Sequence, residues 1–350
     1  MANNIDSVLK DIAKQFGEGT VSLLSDTDDY NVERVSSGSL NLDMALGGGF
    51  PIGRTLELYG PESGGKTTVA ILHAAEMQKR FPDKYVLFLD LEGTFDKALA
   101  CDYGIDEKRF LVSQPASGEE AFNIAESFIR SGTVSLVILD SVSALLPEAE
   151  DKAGMEQQSI GLQARLMSKA LRKITPICSH NECTFLFVNQ IREKVGVMYG
   201  NPEVTSGGRG LPFYASIRIH IRAGEKIPDP VAKDETIGHI VNVRVVKNKT
   251  ARPFKVASFP LFYGIGVDKV AEIVDIAILA GAVERAGSWL RIKDESGVPI
   301  TRTLGEKKTP LNFQGKEKFV QYLREDPGLY EILKKVVYGG TATTQEYAGL

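Results

Sequence analysis

Four apolar runs of strand length punctuate the first 190 positions: TLELYG (55–60), YVLFLDLE (85–92), SLVILDS (135–141) and TFLFVNQ (184–190). Uninterrupted apolar stretches of this length mark strands buried on both faces. Between them lie segments with helical spacing, at 66–80, 117–131 and about 161–178. The alternation predicts a mostly parallel, twisted sheet with helices on both faces, an α/β fold. The texture changes after position 215. SIRIHIR (216–222) and IVNVRVV (240–246) alternate apolar and polar residues, which predicts antiparallel strands with one wet face, joined by a polar turn segment over 223–238. From about 266 the spacing predicts a helix, then a hairpin in SWLRIKDESGVPIT (288–301), then two helices over 316–337 broken at Pro327. That set reads as a small α/β appendage. At the other end, residues 4–16 predict a short helix stopping near Gly17 and Gly19, and 21–24 a strand. Ser39 is placed to cap a short helix that Gly47 to Gly49 would end.

Each of the four runs ends in polar residues: a glycine-rich loop, Glu92, Asp140-Ser141 and Asn189-Gln190. Open α/β sheets bind ligands beyond the carboxyl ends of their strands, so four polar ends on one edge predict a site there. Gly60, Gly65, Lys66 and Thr67 fit G-x-x-x-x-G-K-[ST], between a strand and a helix as that motif requires. The loop's backbone N–H groups form an anion nest, and the helix adds its positive N-terminal end. In such loops the lysine meets the β- and γ-phosphates and the threonine hydroxyl ligates Mg²⁺. Asp140, at the end of a buried strand neighbouring the loop, is a second Mg²⁺ ligand. Glu92 is the candidate base that orients the attacking water, the alternative being a helix-capping carboxylate. Gln190 is either a γ-phosphate sensor or a plain polar strand end.

Composition narrows the class. Over 350 residues, 43% are apolar and 25% charged, with room for two domains and a small appendage. No apolar run is long enough to span a bilayer, and the first residues lack the continuous apolar stretch of a secretory signal. Three cysteines, Cys101, Cys178 and Cys183, argue against a disulfide framework and for a reducing compartment. Cys178, His180 and Cys183 cluster in ICSHNEC, but a fourth ligand for zinc is missing. The net charge of −4 argues only weakly against nucleic-acid binding, because local Lys and Arg clusters decide it. In IREKVGVMYGNPEVTSGGR (191–209), Arg192, Lys194 and Arg209 supply charge, Gly207 and Gly208 let backbone amides approach phosphates, and Val195, Val197 and Met198 are wedge-shaped apolar groups. Arg165, Ser168 and Arg172 share one helix face, suited to a phosphate backbone or to plain solvation. Lys247 and Lys249 lie two apart on a strand and so on one face.

Particular words of the sequence resemble the bacterial RecA recombinase family. They are SSGSLNLDMALGGGFPIGR, GPESGGKTT, VSQPASGEEAF, LDSVSALLP, FVNQIREKVGVMYGNPEVTSGGRGLPFYAS, VVKNKTARPF and AGSWLRIKD, in order from about residue 10 to about 335. The resemblance implies an N-terminal oligomerisation helix and strand (1–28), an ATPase core (29–266), a C-terminal α/β domain (267–335) and a flexible tail (336–350). It implies DNA-dependent ATP hydrolysis coupled to strand exchange, by a helical homo-oligomeric filament on single-stranded DNA that pairs with a homologous duplex. ATP and Mg²⁺ are the implied cofactors. The implied nucleotide contacts are Gly60, Pro61, Glu62, Ser63, Gly64, Gly65, Lys66, Thr67, Thr68 and Asp140, with Asp96 and Tyr263 at the adenine. The implied catalytic set is Glu92, Lys66, Gln190 and, reaching a neighbouring subunit's ATP, Lys247 and Lys249. Two DNA loops, about 150–161 and 191–209, bring in Ile160 beside the residues named above. Cytoplasmic, nucleoid-associated location, an SOS repressor and loader proteins are implied as context. Two departures change expectations: Leu99 stands where an aromatic usually stacks on adenine, and TATTQEYAGL replaces an acidic tail that restrains DNA binding.

Three other functions fit a P-loop core: a ring-forming DNA motor of the helicase kind, an ATP-holding regulator, and a small-molecule kinase. The NPEVTSGG loop and the KNK pair favour the recombinase.

Overall fold

The computed structural model describes residues 5–17, 20–21, 23–26, 32–153, 161–193, 203–232, 234–293, 301–304 and 307–340. The chain separates into two compact units, 1–33 and 34–350. The first holds helix α1 (Ile5–Phe16), an amphipathic helix none of whose residues is buried. Its described residues near position 24 form a 3₁₀ turn, Leu24–Asp26, where a strand was expected. Leu23 and Leu24 are exposed there, so no sheet face rewards an extended backbone.

In the second unit, β1 (Arg34–Val35) pairs with β2 (Phe50–Pro51) around α2 (Leu40–Leu46). Ser39 caps α2 by accepting from the Leu42 amide, and Gly47, at φ 83°, closes it. The remaining core elements alternate as the apolar runs predict. In chain order they are β3 (Thr55–Gly60), α3 (Lys66–Arg80), β4 (Tyr85–Asp90), α4 (Lys97–Asp102), β5 (Phe110–Ser113), α5 (Gly118–Arg130), β6 (Val134–Asp140), α6 (Glu148–Asp151), α7 (Leu162–His180), β7 (Thr184–Glu193), β8 (Glu203–Thr205), α8 (Gly210–Tyr214), β9 (Ile217–Pro228), β10 (Thr236–Asn248) and β11 (Val256–Phe262).

The strands form one sheet in the order β11-β10-β9-β3-β7-β6-β4-β5, with β8 paired to β7. Strands β5, β4, β6, β7, β3 and β9 run parallel, β10 runs antiparallel to β9, and β11 runs antiparallel to β10. Of the two alternating segments, both expected as antiparallel strands, β9 instead pairs parallel with β3 and only β10 pairs antiparallel, with β9; both extend the one sheet. Much of the expected polar turn is strand as well, because β9 and β10 continue to Pro228 and from Thr236. Period 2 sorts each buried run into two cores. Val86, Phe88, Leu136, Ile138, Leu186 and Val188 face α3 on one side. Leu87, Leu89, Val137, Leu139, Phe185 and Phe187 face α5 and α7 on the other.

Beyond the core lie α9 (Lys269–Leu279), β12 (Val283–Ala286), β13 (Trp289–Ile292), β14 (Thr301–Leu304), β15 (Lys307–Pro310), β16 (Asn312–Gln314), α10 (Lys316–Glu325) and α11 (Pro327–Gly340). Strand β13 pairs with β12 and β16, and β14 pairs with β15. The expected hairpin over 288–301 is thus replaced by two separate pairings. A third apolar cluster gathers Ile273, Val274, Leu290, Phe313, Phe319 and Leu333, and includes Leu40 of α2. Buried Glu272 on α9 accepts from Ser39 Oγ at 2.6 Å, the Leu40 amide at 2.8 Å and Asn41 Nδ2 at 3.0 Å. At the other end of α2, the Leu46 carbonyl accepts from Asn248 Nδ2 at 3.1 Å. Helix α2 is thereby held at both ends, by the appendage and by the last residue of β10.

Candidate active site

Register brings the polar strand ends together. Gly60 lies opposite Gln190, and Asp140 opposite Asp90, all at the carboxyl edge of the parallel strands. Strand β7 separates β3 from β6, so Asp140 does not lie on the strand next to the glycine loop as the sequence suggested. The helix that follows the loop closes this gap: Thr67 Oγ1 donates to Asp140 Oδ2 at 2.5 Å.

The loop passes tightly against β9. A Cβ built on Gly60 would lie 1.9 Å from the Ile221 carbonyl oxygen, so glycine is required there by close approach. Gly65 caps α3 at φ 92°, and Ser63 is left-handed at φ 55°. Lys66, the first residue of α3, is buried, and its ammonium donates to the Pro61 carbonyl at 2.6 Å. Burial holds its pKa below the usual lysine range, partly offset by Asp140, Glu92 and Glu62. Burial also pushes the Asp140 carboxyl up to about 6, against the lowering hydrogen bond from Thr67. Pro61, Glu62 and Ser63 line the exposed side of the loop, Gly64 is buried and Thr68 half-buried.

Glu92 stands two residues past β4, exposed, with its carboxylate bound on two sides. Ser141 Oγ donates to Glu92 Oε1, and Gln190 Nε2 donates to the same oxygen at 3.0 Å. Asp90, which the sequence reading passed over, builds the turn that presents Glu92. Its carboxylate accepts from the amides of Gly93 (2.8 Å), Thr94 (3.2 Å) and Phe95 (3.2 Å) and from Gln114 Nε2 (3.0 Å). A carboxylate closing an apolar run ahead of Gly-Thr was the available signal.

A second missed group is Glu57, fully buried mid-strand in β3. It accepts from Asn189 Nδ2 at 2.9 Å and pairs with Arg218 of β9. Asn189 also donates to the Ser206 carbonyl at 3.1 Å, and the Arg218 guanidinium lies 4.8 Å from the Tyr59 ring centroid. A charge inside a buried run demands a partner, and Arg218 in the alternating strand is that partner.

Asp96 is exposed and caps α4, accepting from the Leu99 amide at 2.9 Å. Tyr263 is exposed, its hydroxyl 3.3 Å from His239 Nδ1. Leu99 is 37% exposed, but Tyr103 brings an aromatic ring to the same region. Its hydroxyl lies beside the Gly264 backbone and the Thr68 side chain, between the glycine-loop helix and the Tyr263 loop. Lys247 Nζ donates to the carbonyls of Pro212 (2.7 Å) and Phe213 (2.9 Å), and Lys249 Nζ to that of Phe213 (3.4 Å). Both lysines thus converge on the end of α8, away from Lys66 of the same chain.

Arg165, Arg172, Arg192, Gly208 and Arg209 are exposed, Ser168 is half-buried and Gly207 buried. Ser168 Oγ is turned onto its own helix, donating to the Ala164 carbonyl at 2.8 Å. Ile160, Lys194, Val195, Val197 and Met198 lie outside the described residues. Cys178 and Cys183 are buried, with thiols pushed up to about 12 and well above the usual range respectively. Buried neutral thiols are poor metal ligands. Among the described residues there is no group of three metal-binding side chains. No described helix is long and apolar enough to cross a membrane.

A glycine loop on a parallel sheet, a buried lysine at its helix and a hydroxyl–carboxylate pair beside it define a P-loop nucleoside triphosphatase. Residues 3–268 match the family model of the RecA N-terminal domain. Over 95% of its length, the chain is 45% identical to protein RecA of Thermus aquaticus, covering 93% of that protein. It is 42% identical to protein RecA of Mycoplasma mycoides over 96% of the chain and 93% of the relative. It is likewise 42% identical to protein RecA of Listeria monocytogenes over 95% and 90%. The chain belongs to the RecA family. It is a DNA-dependent ATPase that acts in recombination and repair, binding single-stranded DNA and assembling into filaments on it.

Proposed function

We propose the following division of labour within that activity. One observation carries it: the Glu92 carboxylate is shared between Ser141, next to Asp140, and Gln190, the residue that opens the 191–209 loop. A triphosphate on the glycine loop would meet the amides of 60–65 and the Lys66 ammonium. The donor set fits a hard divalent cation as well. The Thr67 hydroxyl and a buried Asp140 carboxylate are oxygen ligands, and the carboxylate's raised pKa shows the burial cost a cation would relieve. Bound there, Mg²⁺ would neutralise charge on the phosphate oxygens. Glu92 orients and deprotonates the attacking water. Gln190 divides its amide between Glu92 and the terminal phosphate, so that the state of the nucleotide sets the start of the loop. Asp96 and Tyr263 flank the adenine. Lys247 and Lys249 act on the nucleotide of an adjoining protomer, supplying positive charge in the manner of an arginine finger.

On the DNA side, Arg165, Ser168, Arg172, Arg192, Lys194 and Arg209 contact phosphates, the Gly207-Gly208 turn lets the backbone approach them and adds the Gly208 amide as a neutral donor, and Ile160 and Val195 contact bases. The second DNA partner is a homologous duplex. Residues 1–28 serve oligomerisation, 29–266 catalysis and DNA binding, and 267–335 form an accessory domain. A cytoplasmic, nucleoid-associated location, an SOS repressor and loader proteins complete the proposal.

The test measures ATP hydrolysis with and without single-stranded DNA, and homologous strand pairing, in one reaction. We expect strong stimulation and ATP-dependent pairing. DNA affinity equal with ADP, with a non-hydrolysable ATP analogue and with neither would overturn the coupling through Gln190.

A further inference from the structure

We propose that Gln163 is a positioning residue that links the Gly207-Gly208 turn to the catalytic carboxylate, giving DNA a second route to the ATP site. The proposal rests on the DNA contacts of the previous section. Gln163 sits in the first turn of α7, half-buried, two residues from Arg165. Its side-chain amide is used on both sides. Nε2 donates to the carbonyls of Val142 (2.9 Å) and Leu145 (3.1 Å), while Oε1 accepts from the Gly207 amide at 3.2 Å. Two carbonyls and one N–H fix which end of the amide is oxygen, and three of its four hydrogen-bonding positions are filled.

The two surfaces it joins are the ones that matter. Val142 opens a short 3₁₀ turn, Val142–Ala144, directly after Ser141, whose hydroxyl donates to Glu92. Gly207 and Gly208 are both left-handed, at φ 84° and 74°, in the turn proposed to meet phosphate. The packing leaves no slack between them. A Cβ on Gly207 would lie 2.9 Å from Val142 Cγ1, and one on Gly208 would lie 2.7 Å from Ala164 Cβ. Close-packed contacts transmit displacement instead of absorbing it. The loop is therefore tied to Glu92 at both ends: at its start through Gln190, and at its close through Gly207, Gln163, Val142 and Ser141. Phosphate drawn to the neighbouring Gly208 amide pulls the 142–145 carbonyls through the Gly207–Gln163 hydrogen bond, which stays intact.

The experiment compares the full-length parent with Gln163→Met, which keeps length but loses every hydrogen bond, and Gln163→Glu, which keeps the acceptor for Gly207 and loses both donors. We expect turnover without DNA to stay close to the parent's, and the thermal midpoint to fall by a few degrees as the buried Gly207 amide loses its partner. Stimulation by a single-stranded oligonucleotide should fall tenfold or more in Gln163→Met. The ratio of DNA affinities with a non-hydrolysable ATP analogue and with ADP should shrink at least threefold. A purely structural role would leave that ratio alone. Parent-like stimulation in Gln163→Met, or in Gln163→Glu if the first variant fails to fold, overturns the proposal. In the parent itself, amide exchange over 142–146 should slow on adding oligonucleotide without nucleotide, and an unchanged rate also overturns it. Arg172→Ala and Arg209→Ala separate the two levels. If both bind DNA like the parent, the DNA-site assignment fails; if they lose affinity while Gln163→Met keeps full stimulation, only the coupling fails.

Discussion

Lys66 and Asp140 are both buried at the sheet edge, and burial disfavours the charged form of each. Such groups hold their charge through each other and through a ligand, so removing one changes more than one contact. Lys66→Ala should lower ATP turnover at least a hundredfold, on the order of removing one strong electrostatic stabiliser of the transferring phosphoryl. Steady-state hydrolysis at saturating ATP reads this directly. Arg192 is different, being exposed at the end of β7. Its charge acts through counterion release, so its contribution depends on salt. Arg192→Ala should weaken single-stranded DNA binding several-fold and flatten the salt dependence of log affinity by about one charge. Nucleotide affinity should stay within twofold. Titrations at three salt concentrations decide it, and parent-like DNA affinity at raised salt would remove Arg192 from the interface.

Helix α3 carries His73 into the core, where its ring packs edge-on to Phe50 at 4.7 Å and Nδ1 lies 2.8 Å from the Ser36 carbonyl. Among the described residues Nε2 has no hydrogen-bond partner. Burial pushes the imidazole down to about 4. The folded chain therefore stays neutral at His73 while the unfolded chain takes up a proton near pH 6.5, and acid favours unfolding between those values. The slope is about 1.4 kcal/mol per pH unit, roughly 3 kcal/mol across the window. Buried Asp43 and Glu272, with raised pKa values, act in the opposite sense as pH falls, and are common to both proteins compared. The parent should thus lose about 3 kcal/mol relative to His73→Gln between pH 6.5 and 4, by denaturant unfolding at each pH. Elements of this kind were the legible part of the sequence. Long apolar runs, the glycine loop and the Ser39–Gly47 caps are local signals, and the elements formed where they fell. Strand β5 has four residues and α4 six, too short for any period to show. The C-terminal pairings join β13 to β16 across the intervening β14–β15 pair, a choice no local pattern expresses. At the site, Lys66, Thr67, Asp140 and Glu92 stood in recognisable words. Glu57 and Arg218 are 161 positions apart, and Gln163 acts through the chain's folding alone.

At the scale of the molecule, Lys247 and Lys249 are spent in their own chain on the carbonyls that end α8. Their proposed work lies on another protomer, so the test belongs to mixtures. Lys249→Ala alone should reduce DNA-stimulated turnover about tenfold, comparable with partial loss of a finger residue. Lys66→Ala alone should be inactive. Mixed in equal amounts, the two should recover part of the parent's rate, because an intact glycine loop can then face an intact lysine pair. A mixture no faster than Lys249→Ala diluted to the same degree would keep the lysines within one chain. Asn248, between those lysines, grips one end of a seven-residue helix whose other end is gripped by Glu272. That helix is about 10 Å long. With Lys247 and Lys249 in their proposed role it would act as a strut: a load applied to the C-terminal module would be delivered, over a single short span, to the two cations that neighbouring protomers would share.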